Sequence, residues 1–306
     1  MTDTTVWPHH ELGKELSNWG RWGDDDQIGT LNFITQEKLV ASAKLVRTGK
    51  TIDCGIPFDK DGPFPPGGWR RNPHHLFTLL PSDSSYAKDG QIAADDIIIM
   101  GLQASTQWDG LAHVGYDGYF YNGVPAGAVN NFQGASKNDI AKVATKLVSR
   151  GVLLDIAGLK GVERMSAGQV ISAGDLDAAI RRQGTDVGEG DVVLIRTGHG
   201  RLWMKDNAAY GAGEPGLGLE AGQWLCDRKI TLVGTDTWAS EAVPHEDPER
   251  PFQVHQLLLV RHGIYNLENL DLEDLARDRV YEFAFVFAPL RLKGATGSPG
   301  NPIAVR

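Results

Sequence analysis

Polar side chains recur at every second position from 103 to 109 in the stretch Gln103-Ala104-Ser105-Thr106-Gln107-Trp108-Asp109-Gly110-Leu111-Ala112-His113. The apolar run Ile97-Ile98-Ile99-Met100 precedes it and predicts a buried strand. If that strand continues, its period of two places the polar side chains at 103, 105, 107 and 109 on one face. His113 follows shortly after on the same parity. The pattern predicts amides, a carboxylate and an imidazole meeting beyond a strand end, or, in the simpler interpretation, a polar strand face in solvent.

The overall composition narrows the class of protein. A length of 306 residues with 41% hydrophobic and 23% charged residues is typical of a globular protein with a substantial core. The net charge of −9, without a basic stripe, argues against a nucleic-acid partner. No signal peptide and no apolar run long enough to span a membrane are visible, so we expect a cytoplasmic protein without a membrane partner.

The two cysteines, Cys54 and Cys226, are too few for a disulfide framework or for a cysteine-based zinc site. Both lie in apolar patterns, which predict buried, inert thiols.

The domain organisation follows from changes in composition. Residues 1–34 are rich in Trp, Gly and Asp and predict an N-terminal arm. We expect Trp7, Trp19 and Trp22 to pack this arm onto another surface, such as that of a partner subunit. Residues 35–306 show no internal repeat and no clear linker, so we expect a single domain. Residues 59–89 are dominated by Pro, Gly and Ser and predict a long loop of the kind that often forms a lid. Strands and helices alternate through the second half, which indicates an α/β layer.

The candidate chemistry centres on His113 and Asp109. A carboxylate four residues before an imidazole can orient the ring and raise its pKa, which suits general acid–base catalysis. His255 and Glu268 could complete a set of four metal ligands, although the spacing alone is a weak signal. The sequence has no serine nucleophile elbow, which disfavours nucleophilic catalysis by serine. It also has no glycine loop of the P-loop or Rossmann type, which disfavours a nucleotide cofactor.

The residues 105–113 resemble the signature of the cyclase family, whose members include bacterial kynurenine formamidase and isatin hydrolase. That signature runs His-x-Gly-Thr-His-x-Asp-x-Pro-x-His. Further blocks of the sequence resemble the family in the same order, at residues 151–155, 190–198, 234–237, 255–268 and 289–299. The resemblance implies an α/β fold of the swivelling β/β/α type, with a barrel-like mixed β core and surrounding helices. It also implies a homo-oligomer, a dimer or a tetramer, and divalent-metal hydrolysis of a C–N amide or lactam bond.

The chain departs from the family signature at the metal-ligand positions. Gln103 and Gln107 stand where the signature has histidine, whereas Asp109 and His113 are kept. The later ligand histidine aligns, by its distance from Glu268, with Gln256, and His255 is one residue away. The sequence is therefore identified as a divergent member of the family in which glutamine replaces metal-ligand histidine.

These departures leave the cofactor open among no metal, manganese, magnesium and zinc. If a metal binds, the resemblance implies that Asp109, His255 and Glu268 hold it, with Gln103 or Gln107 assisting. Oxygen-rich coordination would then favour manganese or magnesium over zinc. In a metal-free site, His113 would act as the acid and base, Asp109 would orient it, and the two glutamines would donate hydrogen bonds to a carbonyl or oxyanion.

Three functions remain open from the sequence. The first is an arylformamidase-like hydrolase of a small, aromatic substrate, with His113, Asp109, Gln107, Gln103 and Glu268 as catalytic residues. The second is a metal-independent cyclase, dehydratase or isomerase, and the third is a binding protein whose metal site has decayed. The substrate pocket would be walled by aromatic side chains, unless those in the loop simply stack at the surface: Trp108, Tyr116, Tyr119, Phe120 and Trp238.

Overall fold

The computed structural model of the protein describes residues 8–64, 70–86 and 89–306. Within these ranges the strands are β1 (Thr51–Asp53), β2 (His74–Leu79), β3 (Asp95–Ile99), β4 (Gln107–Asp109), β5 (Val129–Asn130), β6 (Gly134–Ala135), β7 (Val148–Asp155), β8 (Val170–Ile171), β9 (Val192–Arg196), β10 (Gly216–Leu217), β11 (Leu232–Thr235), β12 (Tyr265–Glu268), β13 (Glu282–Val286), β14 (Gly297–Pro299) and β15 (Ile303–Val305). The α-helices are α1 (Pro8–Glu15), α2 (Gln36–Ala43), α3 (Ile156–Lys160), α4 (Ala173–Gln183), α5 (Asn207–Ala212), α6 (Leu219–Asp227), α7 (Gln253–His255) and α8 (Glu273–Arg277). A π-helical segment, Gln256–His262, continues α7, and it is called the π turn below.

A mixed nine-stranded sheet organises the fold, in the order β1-β15-β13-β7-β9-β11-β12-β4-β14. Its centre, from β7 through β9 and β11 to β12, is parallel. The flanking strands pair antiparallel on both sides, as β4 does with β12 and with β14. The predicted α/β class, with a barrel-like mixed β core and surrounding helices, is confirmed.

The central parallel strands are aliphatic because both of their faces are buried. Leu194 of β9 packs into one hydrophobic cluster, together with Trp108 and Phe283. Its neighbours Val193 and Ile195 pack into a second cluster on the other face, which α4, α6 and the π turn cover. A strand buried on two sides reads as a continuous apolar run rather than as an alternating one. That is why the sequence predicted these strands well.

The prediction of a buried strand at Ile97-Ile98-Ile99-Met100 is wrong. The three isoleucines belong to β3, which pairs with β2 in a separate two-stranded ribbon. Ile97 is 44% exposed and Ile99 is 59% exposed. The strand also ends at Ile99, and β4 begins only at Gln107 after an irregular turn. Gln103 and Ser105 are therefore not on a strand, so strand alternation does not align them with Gln107 and Asp109.

The N-terminal segment packs closely onto the rest of the chain. Helix α1 lies against the π turn, and the Trp19 indole nitrogen donates a hydrogen bond to the carbonyl oxygen of Val260 at 2.6 Å. The division into an arm at 1–34 and a domain at 35–306 stays a prediction. Trp7 lies outside the described residues, as do positions 65–69 and 87–88 of the predicted loop. The described part of that loop is more regular than expected, because it contains β2 and a 3₁₀ turn, Pro81–Tyr86.

None of the helices in the described ranges has both the length and the apolarity that a membrane span requires.

Candidate active site

The antiparallel pairing of β4 with β12 builds a buried polar surface. In this register Gln107 lies opposite Glu268, and Asp109 lies opposite Asn266. Alternation along each strand places these four side chains on the same face of the sheet. All four residues are fully buried, with 0% exposure. The polar parity that the sequence suggested is therefore real for Gln107 and Asp109, but its face is inside the protein rather than in solvent.

Trp108 lies on the opposite face of β4, because it alternates with its two polar neighbours. Its indole ring is fully buried and meets the rings of Tyr265 and Phe287 edge-on, at centroid distances of 5.4 and 5.7 Å. The expectation that Trp108 walls the substrate pocket is contradicted by this position in the hydrophobic core.

Three side chains on these elements could hold a metal ion. One ligand atom from each of Asp109, His255 and Glu268 lies within 4.8 Å of the others, and all three residues are buried. The Gln107 side-chain nitrogen donates a hydrogen bond to Glu268 Oε2 at 2.7 Å. Among the described residues, Asp109 Oδ2 and Gln107 Oε1 have no hydrogen-bond partner. Two carboxylates and an imidazole form a donor set that suits a divalent cation, and the unpartnered oxygens of Asp109 and Gln107 belong to the same buried surface.

The π turn determines which residue of the 255–256 pair reaches this cluster. His255 Nε2 lies 3.2 Å from Glu268 Oε1. Gln256, which sequence distance had aligned with the ligand, instead uses its side-chain oxygen to contact His9 and His10, at 2.8 and 3.1 Å. A π turn accommodates one more residue than the equivalent α-helical turn. The wider turn therefore explains why a histidine one residue away by spacing occupies the site.

Glu241, which the sequence did not single out, holds His255 in place. Its Oε1 accepts hydrogen bonds from the His255 backbone N–H at 3.0 Å and from Nδ1 at 2.6 Å. Burial disfavours the charged imidazole, but the hydrogen bonds to Glu241 and Glu268 outweigh it and raise the pKa of His255 to about 10. A carboxylate behind a ligand histidine is a common arrangement in metal sites, because it fixes the ring and its tautomer. No spacing or motif in the sequence links Glu241 to His255.

His113 lies beside the cluster with a different electrostatic environment. Its Nε2 is 3.7 Å from Asp109 Oδ1. Burial lowers the pKa of His113, and the nearby Asp109 carboxylate only partly offsets that effect. Burial also raises the pKa of Glu268 to about 7, with repulsion from Asp109 adding to the shift. The site therefore places a neutral imidazole, suited to accepting a proton, next to a pair of crowded carboxylates.

His113, His255 and Glu268 open into a cavity of about 350 Å³. Trp238 lines it as the sequence predicted. The sequence did not single out the remaining lining residues, although the first three belong to the loop predicted at 59–89: Pro63, Phe64, Arg70, Val114, Tyr210, Gly211, Ala239 and Phe252. Buried Glu214 fixes one wall, because its carboxylate accepts the backbone N–H groups of Trp238 and Ala239, at 2.6 and 2.7 Å.

Comparison with known proteins now assigns the family. A profile of the family described as "Putative cyclase" matches residues 10–242, which is well over half of the chain. The chain belongs to the cyclase family. The resemblance carried by the sequence motifs is thereby confirmed.

One solved structure supports the family assignment, and two more distant ones share the fold. A crystal structure of a novel cyclase is 39% identical, with a TM-score of 0.89, and the match covers 99% of this chain and 100% of that one. Isatin hydrolase A from Labrenzia aggregata, bound to benzyl benzoate, is 23% identical, with a TM-score of 0.62 over 88% of this chain and 97% of that one. A metal-dependent hydrolase from Bacillus stearothermophilus, described as predicted, is 20% identical, with a TM-score of 0.55 over 84% of this chain and 98% of that one. No curated protein matches the sequence.

The aromatic loop of this cyclase-family chain does not line the cavity, although the sequence placed Tyr116, Tyr119 and Phe120 there. Tyr116 stacks on His10 at a centroid distance of 4.1 Å, and its hydroxyl oxygen accepts a hydrogen bond from Arg261. Tyr119 is 46% exposed and faces Trp19. Tyr116 and Tyr119 thus contact the N-terminal segment instead.

Gln103 borders the site of this cyclase-family chain but does not belong to the group of Asp109, His255 and Glu268, which is called the metal-capable cluster below. Its side-chain nitrogen lies 3.4 Å from Thr296 Oγ1. It also occupies the space that a side chain at Gly297 would need, and Gly297 lies opposite Asp109 on β14. The two glutamines therefore differ in position, since Gln107 contacts Glu268 directly, whereas Gln103 lies in the turn before β4 and packs against Gly297 of β14.

Proposed function

We propose that the chain is a metal-assisted hydrolase that opens the C–N bond of an amide or lactam in a small aromatic compound. The observation that carries the proposal is the meeting of His113, His255 and Glu268 in one cavity, with Asp109 beside them. Membership of a family with hydrolases among its structural neighbours supports the reaction class.

The residues present fit a divalent cation. Asp109, His255 and Glu268 would hold it, and the unpartnered oxygens of Asp109 and Gln107 face the same cluster. When bound, such an ion acts as a Lewis acid toward a carbonyl group and favours the ionisation of water. Glu241 would keep the His255 ring oriented, with Nδ1 occupied and Nε2 directed at the site.

His113 would carry the proton in the hydrolysis. Its neutral imidazole accepts a proton as a water oxygen bonds to the carbonyl carbon of the substrate. The C–N bond then breaks, and His113 returns that proton to the departing nitrogen, so that a carboxylic acid and an amine are formed. Asp109 stabilises the transient imidazolium from its position 3.7 Å away.

The cavity walls favour a flat, apolar substrate. Phe64, Trp238 and Phe252 supply aromatic surface, and a volume of about 350 Å³ is in the range of small-molecule sites. Arg70 adds a positive charge to the same wall. A bicyclic lactam or an N-formylated aniline is of the right size and character.

The proposal is tested with protein purified without chelator and measured for bound metal. Isatin and formanilide serve as probes, with the apo-protein assayed before and after addition of Mn²⁺. We expect hydrolysis that depends on Mn²⁺ and that His113→Ala abolishes. Binding of both probes without turnover under any metal would instead indicate a non-catalytic binding protein.

Two contacts of His255 favour a second candidate, a metal-independent cyclisation, dehydration or isomerisation. Both ring nitrogens of His255 already have carboxylate partners, Glu241 and Glu268, so the cluster is partly neutralised without a cation. In that reaction His113 would both donate and accept the proton. Full activity of chelator-treated protein would support this candidate and contradict the first.

A further inference from the structure

Asn266 is a buried amide whose role no motif explains. It lies on β12, is fully buried, and neither atom of its side-chain amide has a hydrogen-bond partner among the described residues. A buried polar group without a hydrogen-bond partner lowers the stability of the folded state. A side chain with two such atoms in a tightly packed sheet therefore indicates a partner that the protein chain does not itself provide.

The register places Asn266 at the metal-capable cluster. Asn266 lies directly opposite Asp109 and two residues before Glu268, so its side chain shares their face of the sheet. On this same face, Asp109 Oδ2 and Gln107 Oε1 also have no partner in the described part of the chain. Unpartnered oxygens on adjacent positions of two paired strands point to one shared ligand rather than to separate defects.

The strand on the other side of Asn266 shows what the fold would otherwise place there. Val233 of β11 pairs with Asn266 and packs into a hydrophobic cluster. A valine or leucine at position 266 would continue that packing and would bury no polar atom. The Asn266 amide thus lies between an apolar neighbour, Val233 of β11, and a polar one, Asp109 of β4.

We propose that Asn266 belongs to the cation site, where its side-chain oxygen would join the unpartnered oxygens Gln107 Oε1 and Asp109 Oδ2 as a ligand. This inference rests on the proposed function, because it assumes that a divalent cation binds to the cluster. Amide and carboxylate oxygens are hard ligands, which favour Mn²⁺ or Mg²⁺ over Zn²⁺. The amides of this chain would then adapt the site to a harder cation.

The test is the affinity of the full-length protein for Mn²⁺, measured by titration calorimetry and by the electron paramagnetic resonance signal of free Mn²⁺. We expect Asn266→Val to weaken Mn²⁺ binding by about tenfold or more, the loss typical of altering a group around a metal site. Asn266→Asp keeps an oxygen at the same place and is expected to bind Mn²⁺ at least as tightly as the wild type. Because Asn266→Val removes two unpartnered polar atoms, the melting temperature of its metal-free form is not expected to fall.

Tyr265→Phe is the matched control, since Tyr265 lies on the same strand but on the opposite face and donates its hydroxyl to the Ile28 carbonyl. It should lower stability and leave Mn²⁺ affinity unchanged. Equal Mn²⁺ affinity of the wild type and Asn266→Val would overturn the inference and leave the proposed metal site standing. Wild-type protein that binds no Mn²⁺ would overturn both. If Asn266→Val does not fold, Asn266→Ser provides the same comparison with a side chain too short to reach the site.

Discussion

Strands β9 and β12 lie in the same sheet and are both fully buried, yet they carry opposite chemistry. In β9, Val193, Leu194 and Ile195 fill hydrophobic clusters on both faces. In β12, Tyr265 and Leu267 do the same on one face, while Asn266 and Glu268 present polar groups on the other. Burying polar groups without full hydrogen bonding costs stability, whereas burying aliphatic groups provides it. Strand β9 therefore stabilises the fold, whereas the polar face of β12 is suited to ligand binding and catalysis.

The largest effect is expected at the site. His113→Ala should reduce turnover of any hydrolysed probe by about 10²- to 10⁴-fold, because it removes the group that transfers the proton. The melting temperature should change little. Steady-state kinetics measure the effect, with His75→Ala as the control, since His75 is exposed on the β2–β3 ribbon and pairs with Asp96. Unchanged turnover would exclude His113 as the acid and base.

In the central strand β9 we expect a substitution to lower stability and to leave the site unaffected. Leu194→Ala should lower the free energy of unfolding by about 2–5 kcal/mol, because it leaves a cavity in the core. The Mn²⁺ affinity of the protein that remains folded should equal that of the wild type. Urea denaturation checks the first value, and Leu39→Ala, at a position 42% exposed on α2, is the control that should change little. A large loss of Mn²⁺ affinity in Leu194→Ala would break the distinction between the two strands.

A smaller effect is expected for Glu268→Gln. Mn²⁺ affinity should fall at least about tenfold, since a ligand carboxylate becomes an amide. The stability of the metal-free protein should change little, because the change removes a carboxylate that burial and Asp109 disfavour as a charged group but also removes the charged partner of His255. Calorimetric titration and thermal melting report the two quantities. Loss of stability with unchanged affinity would show that Glu268 supports the fold rather than a cation.

The smallest effect concerns pH and lies outside the site. Burial lowers the pKa of His199 to about 4, although its contact with the Tyr210 carbonyl opposes the shift. As the pH falls, the His199 imidazole is protonated near pH 6.5 in the unfolded chain but only near pH 4 in the folded chain. This contribution to stability is therefore complete above pH 6.5 and is lost as the pH falls toward 4. Melting temperatures of the wild type and His199→Asn across this range should converge as the pH falls, and parallel curves would contradict the assignment.

The sequence predicted the parts of the molecule that follow from local pattern. Continuous aliphatic runs marked the central strands, and Asp109, His255 and Glu268, which the sequence singled out, lie in one buried cluster. It failed where burial depends on distant pairing. The Ile97–Ile99 run is apolar but lies in an exposed ribbon, and Trp108 shares a strand with two site residues yet faces the core. Glu241 and Asn266 reach the site only through contacts and register, which no spacing in the chain reveals.

The π turn has a consequence for how relatives of this chain are aligned. An α-helix advances about 100° per residue, so one added residue would ordinarily rotate His255 away and turn Gln256 toward Glu268. The π turn at Gln256–His262 absorbs the additional residue and restores the phase, which leaves an imidazole facing the carboxylate. Distance along the chain and angle around the helix axis are thereby uncoupled. An α-helical turn one residue shorter would leave the imidazole at the same angle, so distance along the chain from Glu268 does not by itself identify the residue that faces it.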